Sequence, residues 1–153
     1  MIVYRLSKEK YCNDLSGKGA EISGGRWNSK GTAIIYTSGS RALCTAEVAV
    51  HTPIGMIPED YFLVEIEFPD DIDIGEISVL QLSAHWNQFP HSQETQKIGD
   101  QFIGQNKFLV LKVPSAVVQG DSNYLINPQH ADFPKVKIKK TELFSFDERL
   151  FRR

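Results

Sequence analysis

The sequence has few cysteines and no long apolar run. Only two cysteines, Cys12 and Cys44, occur among its 153 residues, so a disulfide-stabilised exported scaffold is not expected. No stretch approaches the roughly 18 consecutive apolar residues that are needed to cross a bilayer. The opening segment MIVYRLSKEK also lacks the apolar core of a signal peptide. We therefore expect a cytoplasmic protein with no membrane partner.

The sequence also lacks an excess of positive charge. Its 17 lysines and arginines are outnumbered by 19 aspartates and glutamates, which gives a formal net charge of −2. Without a basic surplus, direct binding of nucleic acid through the phosphate backbone is not expected. The histidines match no metal-ligand spacing, so we expect no metal site; they are His51, His85, His91 and His130.

The residue pattern predicts strands interspersed with short helices in one domain, residues 1–153. Hydrophobic residues make up 41% of the chain, which suffices for a single core at this length. Strands are expected at 1–6, 32–37, 61–68, 107–114 and 134–140, with 77–82 and 142–146 as further candidates. Helices are expected over 94–104 and from Ser38 or Ser40 to Pro53. Because these elements follow no regular strand–helix–strand order, we expect an α+β fold.

Other segments show no pattern of a regular element. Residues 12–25 contain four glycines with polar spacers, which predicts a loop that is either mobile or shaped around a ligand. The run DDIDIGE, at 70–76, predicts an acidic turn. Asn123 and Asn127 are expected to form turns, with Asn127 also a candidate for lining a pocket.

The run Gly24-Gly25-Arg26-Trp27-Asn28 is the most informative local motif. Paired glycines let a backbone turn sharply and approach a ligand, and the planar donors of an arginine suit phosphate or carboxylate groups. The large side chain of Trp27 would anchor the turn. The spacing differs from dinucleotide-binding and phosphate-loop fingerprints, so the motif alone does not define a ligand.

Glu47 is a candidate for a carboxylate shielded from water. It lies beside the apolar stripe formed by Leu43, Ala46 and Val50 on the predicted helix. A carboxylate held there can stabilise a cation that develops in a reaction, such as the oxocarbenium ion formed when a glycosidic bond breaks. Tyr36 ends the preceding strand and could stack on a flat leaving group. Alternatively, Glu47 pairs with an arginine and only braces the fold.

Ser115 follows directly after the strand predicted to end at Pro114. Its hydroxyl could orient a substrate, or it could cap a turn. The chain has no G-x-S-x-G elbow, so a serine nucleophile of the hydrolase type is not indicated.

A larger set of motifs occurs in order along nearly the whole chain. It comprises YRL (4–6), SGKGA (16–20), GGRWN (24–28), Tyr36, Ala46-Glu47, IGD (98–100), VPSA (113–116), NYLINP (123–128), HADF (130–133) and FDERL (146–150). Together these motifs resemble the RES domain family, the toxins of bacterial Xre–RES toxin–antitoxin pairs. The combination of GGRWN, the tyrosine, Ala-Glu and VPSA is specific, whereas no single motif is.

The resemblance implies a fold similar to ADP-ribosyltransferases, with a central mixed or antiparallel β core and short helices. It also implies a protein that takes NAD⁺ as substrate, needs no metal, and splits the bond between nicotinamide and ribose. The acceptor would be water or phosphate, as in an NAD⁺ glycohydrolase or phosphorylase. The family's catalytic residues match Arg26, Glu47 and Ser115. Candidate substrate-binding residues are Arg5, Gly25, Arg26, Trp27, Tyr36 and Asn127.

The resemblance implies a partner as well. RES toxins are neutralised by an antitoxin with an Xre-like helix-turn-helix region, which blocks the entrance to the active site. This chain has no helix-turn-helix signature of its own, so contact with DNA would come through the antitoxin.

Three alternatives remain open at the level of the sequence. The chain could transfer ADP-ribose to a protein, or it could be an RNase-type toxin that uses histidine with lysine or arginine. It could also be a non-catalytic binding module in which Arg26 and Glu47 form a structural pair. Glu47→Gln separates these, because a catalytic role predicts loss of turnover in a folded protein.

Overall fold

One mixed sheet of seven strands forms the centre of the molecule. The computed structural model describes residues 1–152. In chain order the strands are β1 Ile2–Lys8, β2 Ile35–Ser38, β3 Tyr61–Glu67, β4 Ile74–Glu76, β5 Val110–Pro114, β6 Ser122–Ile126 and β7 Lys137–Phe144. They lie in the order β4-β5-β6-β2-β1-β3-β7. β4 pairs in parallel with β5, and the other described neighbours are antiparallel.

Helices occupy the connections between these strands. Within residues 1–152 the α-helices are α1 Lys18–Ser23, α2 Arg41–His51 and α3 Gln93–Gln105. The predicted α+β class is therefore confirmed. None of the helices in this part of the chain is long and apolar enough to span a membrane.

The strong alternation of residues 61–68 produces the best-paired strand. β3 pairs with β1 from Tyr61↔Lys8 to Glu67↔Ile2, and with β7 on its other side. Val64 and Ile66 are fully buried, as alternation predicts, but the adjacent Leu63 is fully buried too, so the strand is covered on both faces at that point.

Two groups of buried side chains form the core. One lies along the central strands and includes Val3, Ile35, Val64 and Ile126. The other joins α3 to β5 and β6 through residues that include Trp27, Trp86, Phe102 and Leu125. This second group ties the loop that contains Trp27 to the interior of the protein.

The structure corrects several local predictions. Residues 12–25 are not entirely irregular, because they contain α1. The candidate strand 77–82 is wrong: Val79–Gln81 is a single 3₁₀ turn, closed by a capping box at Ser78. The expected acidic turn at 70–76 contains the short strand β4.

Two further corrections concern β6 and the helices. Asn123 lies within β6 and not in the turn that the sequence predicts. Val50 is exposed and does not belong to the buried face of α2. α3 continues past Gly104 to Gln105, and its C-cap Asn106 adopts a left-handed conformation with φ of 53°.

Candidate active site

A cavity of about 900 Å³ lies at one side of the sheet. β1, α1, β2 and α2 contribute to its walls, together with the loop before β2 and the segment around residue 90. Of the residues singled out in the sequence, the cavity is lined by Arg5, Gly25, Arg26, Trp27, Tyr36 and Glu47. The fold therefore brings together residues that are up to 42 positions apart in the chain.

Tight contacts with Tyr36 shape the turn that presents Arg26. Gly25 pairs with Asn28 in an isolated antiparallel bridge, and a Cβ on Gly25 would lie 2.7 Å from the Tyr36 hydroxyl oxygen. That hydroxyl donates to Asn28 Oδ1 at 2.6 Å and accepts from the Trp27 N–H at 3.0 Å. Burial raises the pKa of Tyr36, so the phenol stays neutral. Gly25 is thus required by its close packing against Tyr36.

Three positions on one face of α3 hold the same turn from the other side. Gln96 Nε2 donates to the carbonyl oxygens of Gly25 at 3.1 Å and Asn28 at 3.3 Å. A Cβ on Gly99 would lie 1.5 Å from the Trp27 carbonyl oxygen, so the backbones touch there. Asp100 accepts hydrogen bonds from the backbone N–H and the hydroxyl of Ser29.

The Arg26 guanidinium reaches across the cavity wall to a neighbouring segment. Nη1 donates to the carbonyl oxygens of Trp86 at 3.0 Å and Gln88 at 3.1 Å. Burial lowers the pKa of Arg26, and the negative charge of Glu47 opposes that shift. Within residues 1–152, however, Arg26 and Glu47 make no ion pair within 4.0 Å. The purely structural Arg26–Glu47 pair considered from the sequence is therefore not formed.

Glu47 lies half-buried on the cavity side of α2. The helix begins at Ser40, whose side chain caps it by accepting from the Leu43 N–H. Burial raises the pKa of Glu47, and the nearby Asn123, His51, Ser115 and Arg26 oppose that shift.

Ser115 is buried next to Glu47 and does not itself line the cavity. Its hydroxyl oxygen accepts from the backbone N–H groups of Val117 at 3.1 Å and Val118 at 3.0 Å. Because both lone pairs are used in this way, its proton is directed at Glu47 Oε1, 3.5 Å away. The turn-capping function expected for Ser115 is therefore present, while its hydroxyl proton faces Glu47.

Arg5 contributes a second guanidinium to the cavity. Its Nη2 donates to the carbonyl oxygens of Tyr11 at 3.2 Å and Cys12 at 3.4 Å, and its Nε is buried without a hydrogen-bond partner. Burial lowers its pKa, and the nearest opposing charge is that of Asp14. Neither arginine is neutralised by a carboxylate within 4.0 Å in the described part of the chain, so the cavity presents two cationic groups to a ligand.

The structure places Asn127 away from the cavity. It is fully buried after β6, donates to Asn106 Oδ1 at 2.8 Å, and accepts from the Gln129 N–H. These bonds use its side chain to close a turn, as the Asn-Pro pattern predicts, and it does not line this cavity as the sequence also allowed. Asn123 lines the cavity instead.

Sequence reasoning missed Gln96, Gly99 and Asp100 as functional supports. The run IGD at 98–100 was the available signal. A glycine in the middle of a predicted helix is unfavourable, so Gly99 suggests a close contact with another segment. As for metals, the described residues contain no group of three or more side chains that could ligate an ion.

The chain is similar to curated bacterial proteins along nearly its whole length. A protein of Sphingobium sp. (strain YBL2), described as a Prs ADP-ribosylating toxin, is 38% identical over 143 residues, covering 92% of this chain and 89% of the relative. A protein of Photorhabdus laumondii subsp. laumondii, described as Toxin Res, is 36% identical over 153 residues, covering 98% of this chain and 97% of the relative.

The fold also matches a solved structure. A chain of the M. tuberculosis MbcT–MbcA toxin–antitoxin complex superimposes with a TM-score of 0.75 at 20% identity, covering 94% of this chain and 84% of that chain. Residues 2–147 match the model of the RES domain. The resemblance drawn from the motifs is confirmed, and the chain belongs to the RES domain family.

Proposed function

We propose that this chain is a toxin that consumes NAD⁺ by splitting the bond between nicotinamide and ribose. The observation that carries the proposal is the environment of Glu47. Its carboxylate is half-buried at the cavity, receives a hydroxyl donor from Ser115, and has no cation paired with it within 4.0 Å in residues 1–152. A carboxylate without a fixed counter-ion is available to stabilise a cation that forms on the substrate.

The two guanidinium groups account for the anionic part of the substrate. Nε and Nη2 of Arg26 make no hydrogen bond within residues 1–152, and the Nε of Arg5 has no partner. These donors suit the pyrophosphate of a dinucleotide. In this proposal Tyr36 lies against the nicotinamide ring, while Gly25 and Trp27 form the adjoining wall.

The chemical step then needs little more than placement and charge stabilisation. The bond from the ribose anomeric carbon to the nicotinamide nitrogen breaks, and its electron pair goes to the nitrogen, so nicotinamide leaves as a neutral ring. The ribose carries positive charge in the transition state, opposite Glu47. An acceptor oxygen forms the new bond to the anomeric carbon, and Glu47 takes up the proton that it loses. Ser115 is a positioning residue that orients Glu47.

The acceptor is water or phosphate in the main proposal. Transfer to a protein is the second candidate, favoured by one observation: the Sphingobium relative is described as an ADP-ribosylating toxin and shares 38% of aligned residues. The three acceptors leave different products, so one experiment distinguishes them.

We further propose that an antitoxin with an Xre-like helix-turn-helix region covers this cavity. The support is the fold match to the toxin of a toxin–antitoxin complex. Because NAD⁺ is a cytoplasmic substrate, we place the toxic activity in the cytoplasm.

The test is to incubate the purified chain with NAD⁺, with and without phosphate, and to identify the products by mass-resolved chromatography. Glu47→Gln and Arg26→Ala are compared with Glu67→Gln, a control at an exposed glutamate on β3. We expect nicotinamide release by the wild type and the control, and a loss of about 100-fold or more in the Glu47 variant.

The second product identifies the acceptor. ADP-ribose indicates water, ADP-ribose 1″-phosphate indicates phosphate, and release that requires an added protein indicates transfer. A folded wild type that releases no nicotinamide under any of these conditions contradicts the proposal.

A further inference from the structure

The mouth of the cavity carries large aromatic side chains that the protein leaves in contact with water. Phe89 lines the cavity and is 81% exposed, and Tyr11 lines it on the segment held by Arg5 and is 52% exposed. An exposed phenylalanine contributes almost nothing to the stability of the core. At a cavity mouth such a ring is instead a surface on which a flat ligand can stack.

Hydrogen bonds tether the chain before and after Phe89. Before it, the carbonyl oxygen of Gln88 accepts from Arg26 Nη1 at 3.1 Å. After it, His91 Nε2 lies 3.3 Å from Gln96 Nε2. Burial and the charge of Arg26 lower the pKa of His91, so a neutral ring accepts this hydrogen bond. The exposed ring is therefore presented by a braced segment rather than by a free loop.

The hydrogen bond from Arg26 to Gln88 also links the segment that contains Phe89 to a charged group of the cavity. Arg26 binds the carbonyl of the residue that directly precedes Phe89, and both residues line the cavity. A guanidinium beside an exposed aromatic ring matches a phosphate linked to a heterocyclic base. The carboxylate proposed to act on the nicotinamide ribose, that of Glu47, lines the same cavity.

We propose that Phe89 is the base-stacking residue of an adenylate subsite, which binds the adenine half of the dinucleotide. The inference rests on the proposed function, since it names what binds the half of NAD⁺ that does not react. Stacking of one base on an aromatic side chain is worth about 1–3 kcal/mol, which corresponds to about 5–150-fold in affinity. Phe89 thereby determines specificity for a dinucleotide without touching the bond that breaks.

The test measures NAD⁺ turnover and AMP binding for the wild type, Phe89→Ala and Phe89→Trp. Calorimetry with AMP needs no turnover, so it reports on the subsite even if the proposed reaction is wrong. Leu80→Ala is the matched control, because Leu80 is 96% exposed and lies outside the cavity lining. Tyr11→Ala tests the other aromatic ring at the mouth.

We expect Phe89→Ala to raise the KM for NAD⁺ and the Kd for AMP by about tenfold with an unchanged kcat. Phe89→Trp should retain wild-type values, and Leu80→Ala should change neither constant. The inference is overturned if Phe89→Ala lowers kcat instead, if it changes neither constant, or if Tyr11→Ala alone weakens AMP binding. If the wild type binds AMP through Phe89 but releases no nicotinamide, the proposed reaction fails and the nucleotide subsite stands.

Discussion

At the scale of the residue, the partly buried and unpaired carboxylate of Glu47 lowers the stability of the fold and is suited to binding a cation on a ligand. A half-buried carboxylate loses hydration, and burial raises its pKa. The surrounding groups oppose this shift only partly, and the Ser115 hydroxyl is 3.5 Å away. A residue that only braced the fold would have a paired charge, so the unpaired carboxylate is better explained by a ligand that binds there.

The first prediction is that Glu47→Gln makes the protein more stable at pH 7 while it abolishes NAD⁺ consumption. The pKa of Glu47 is raised in the folded protein. At pH values just above the ordinary pKa of a glutamate, the folded protein therefore binds more protons than the unfolded chain does. The free energy of unfolding therefore falls as the pH rises through that window. At pH 7 the full destabilisation by the ionised Glu47 carboxylate is present. Glutamine has no such cost, so we expect a gain of about 1 kcal/mol in the free energy of unfolding.

The measurement is urea unfolding of both proteins at pH 7 and at pH values approaching 4.5. The advantage of Glu47→Gln should shrink as the pH falls, because the wild-type carboxyl becomes increasingly protonated in both states. A variant that is less stable than the wild type at pH 7 would mean that Glu47 braces the fold.

The principal residues of the site were identifiable in the sequence, whereas their supports were not. Arg26, Tyr36 and Glu47 stand in motifs whose order carries the family resemblance, and all three line the cavity. The sequence could not decide whether Asn127 lines a pocket, because an Asn-Pro turn looks the same whether it faces a ligand or the core. In the structure its buried side chain bonds to Asn106. Gln96 was missed because its function depends on backbone carbonyls 71 and 68 positions away, which no local pattern reports.

At the scale of the element, α3 supports the turn that presents Arg26. Gln96, Gly99 and Asp100 are spaced by three and four residues, so they lie on one face of the helix. The turn that presents Arg26 rests on that face through two hydrogen-bonding side chains and one backbone contact.

The second prediction compares two glycines of α3. The Cβ of Gly99→Ala would lie 1.5 Å from the carbonyl oxygen of Trp27, so the helix and the turn must separate. We expect a loss of about 3 kcal/mol in the free energy of unfolding, together with a rise in KM for NAD⁺ because Arg26 is displaced.

Gly104→Ala is the internal control. A Cβ there meets nothing within 4 Å, so only helix propensity changes, and we expect a gain of about 0.5–1 kcal/mol. Thermal unfolding of the two variants should therefore shift in opposite directions. Equal shifts would show that the contact between α3 and the turn is not tight.

Elements with strong alternation were predictable, whereas short or polar ones were not. Residues 61–68 alternate cleanly, and β3 forms there. β4 has three residues and contains Gly75, so its strand geometry depends on parallel pairing with β5. β6 begins with Ser-Asn and its sequence shows no strand periodicity. It forms a strand because it pairs with β2 on one side and with β5 on the other.

At the scale of the whole molecule, the cavity is assembled from segments that are distant in the chain. β1 begins at residue 2, α1 at residue 18, and the braced segment at Phe89 lies about 70 residues further along. Hydrogen bonds from Arg5 and Arg26 hold two of these segments directly. A ligand that bridges the cavity therefore has to order them together.

The last prediction is that NAD⁺ protects these segments from hydrogen exchange as one unit. Glu47→Gln is used so that the bound dinucleotide is not consumed. Peptides covering residues 4–12, 17–27 and 86–91 should exchange more slowly at saturating NAD⁺, because all three surround the same ligand. β7, Lys137–Phe144, contributes no lining residue in the described chain and is the internal control.

The pattern of protection separates a bridging ligand from a local one. Protection of residues 86–91 without residues 4–12 would mean that the dinucleotide lies on one wall and that Arg5 does not hold its phosphates. Equal protection of β7 would mean that binding tightens the whole sheet. Simultaneous protection of the three segments, with β7 unchanged, is expected only if one ligand spans the cavity from Arg5 to the segment at Phe89.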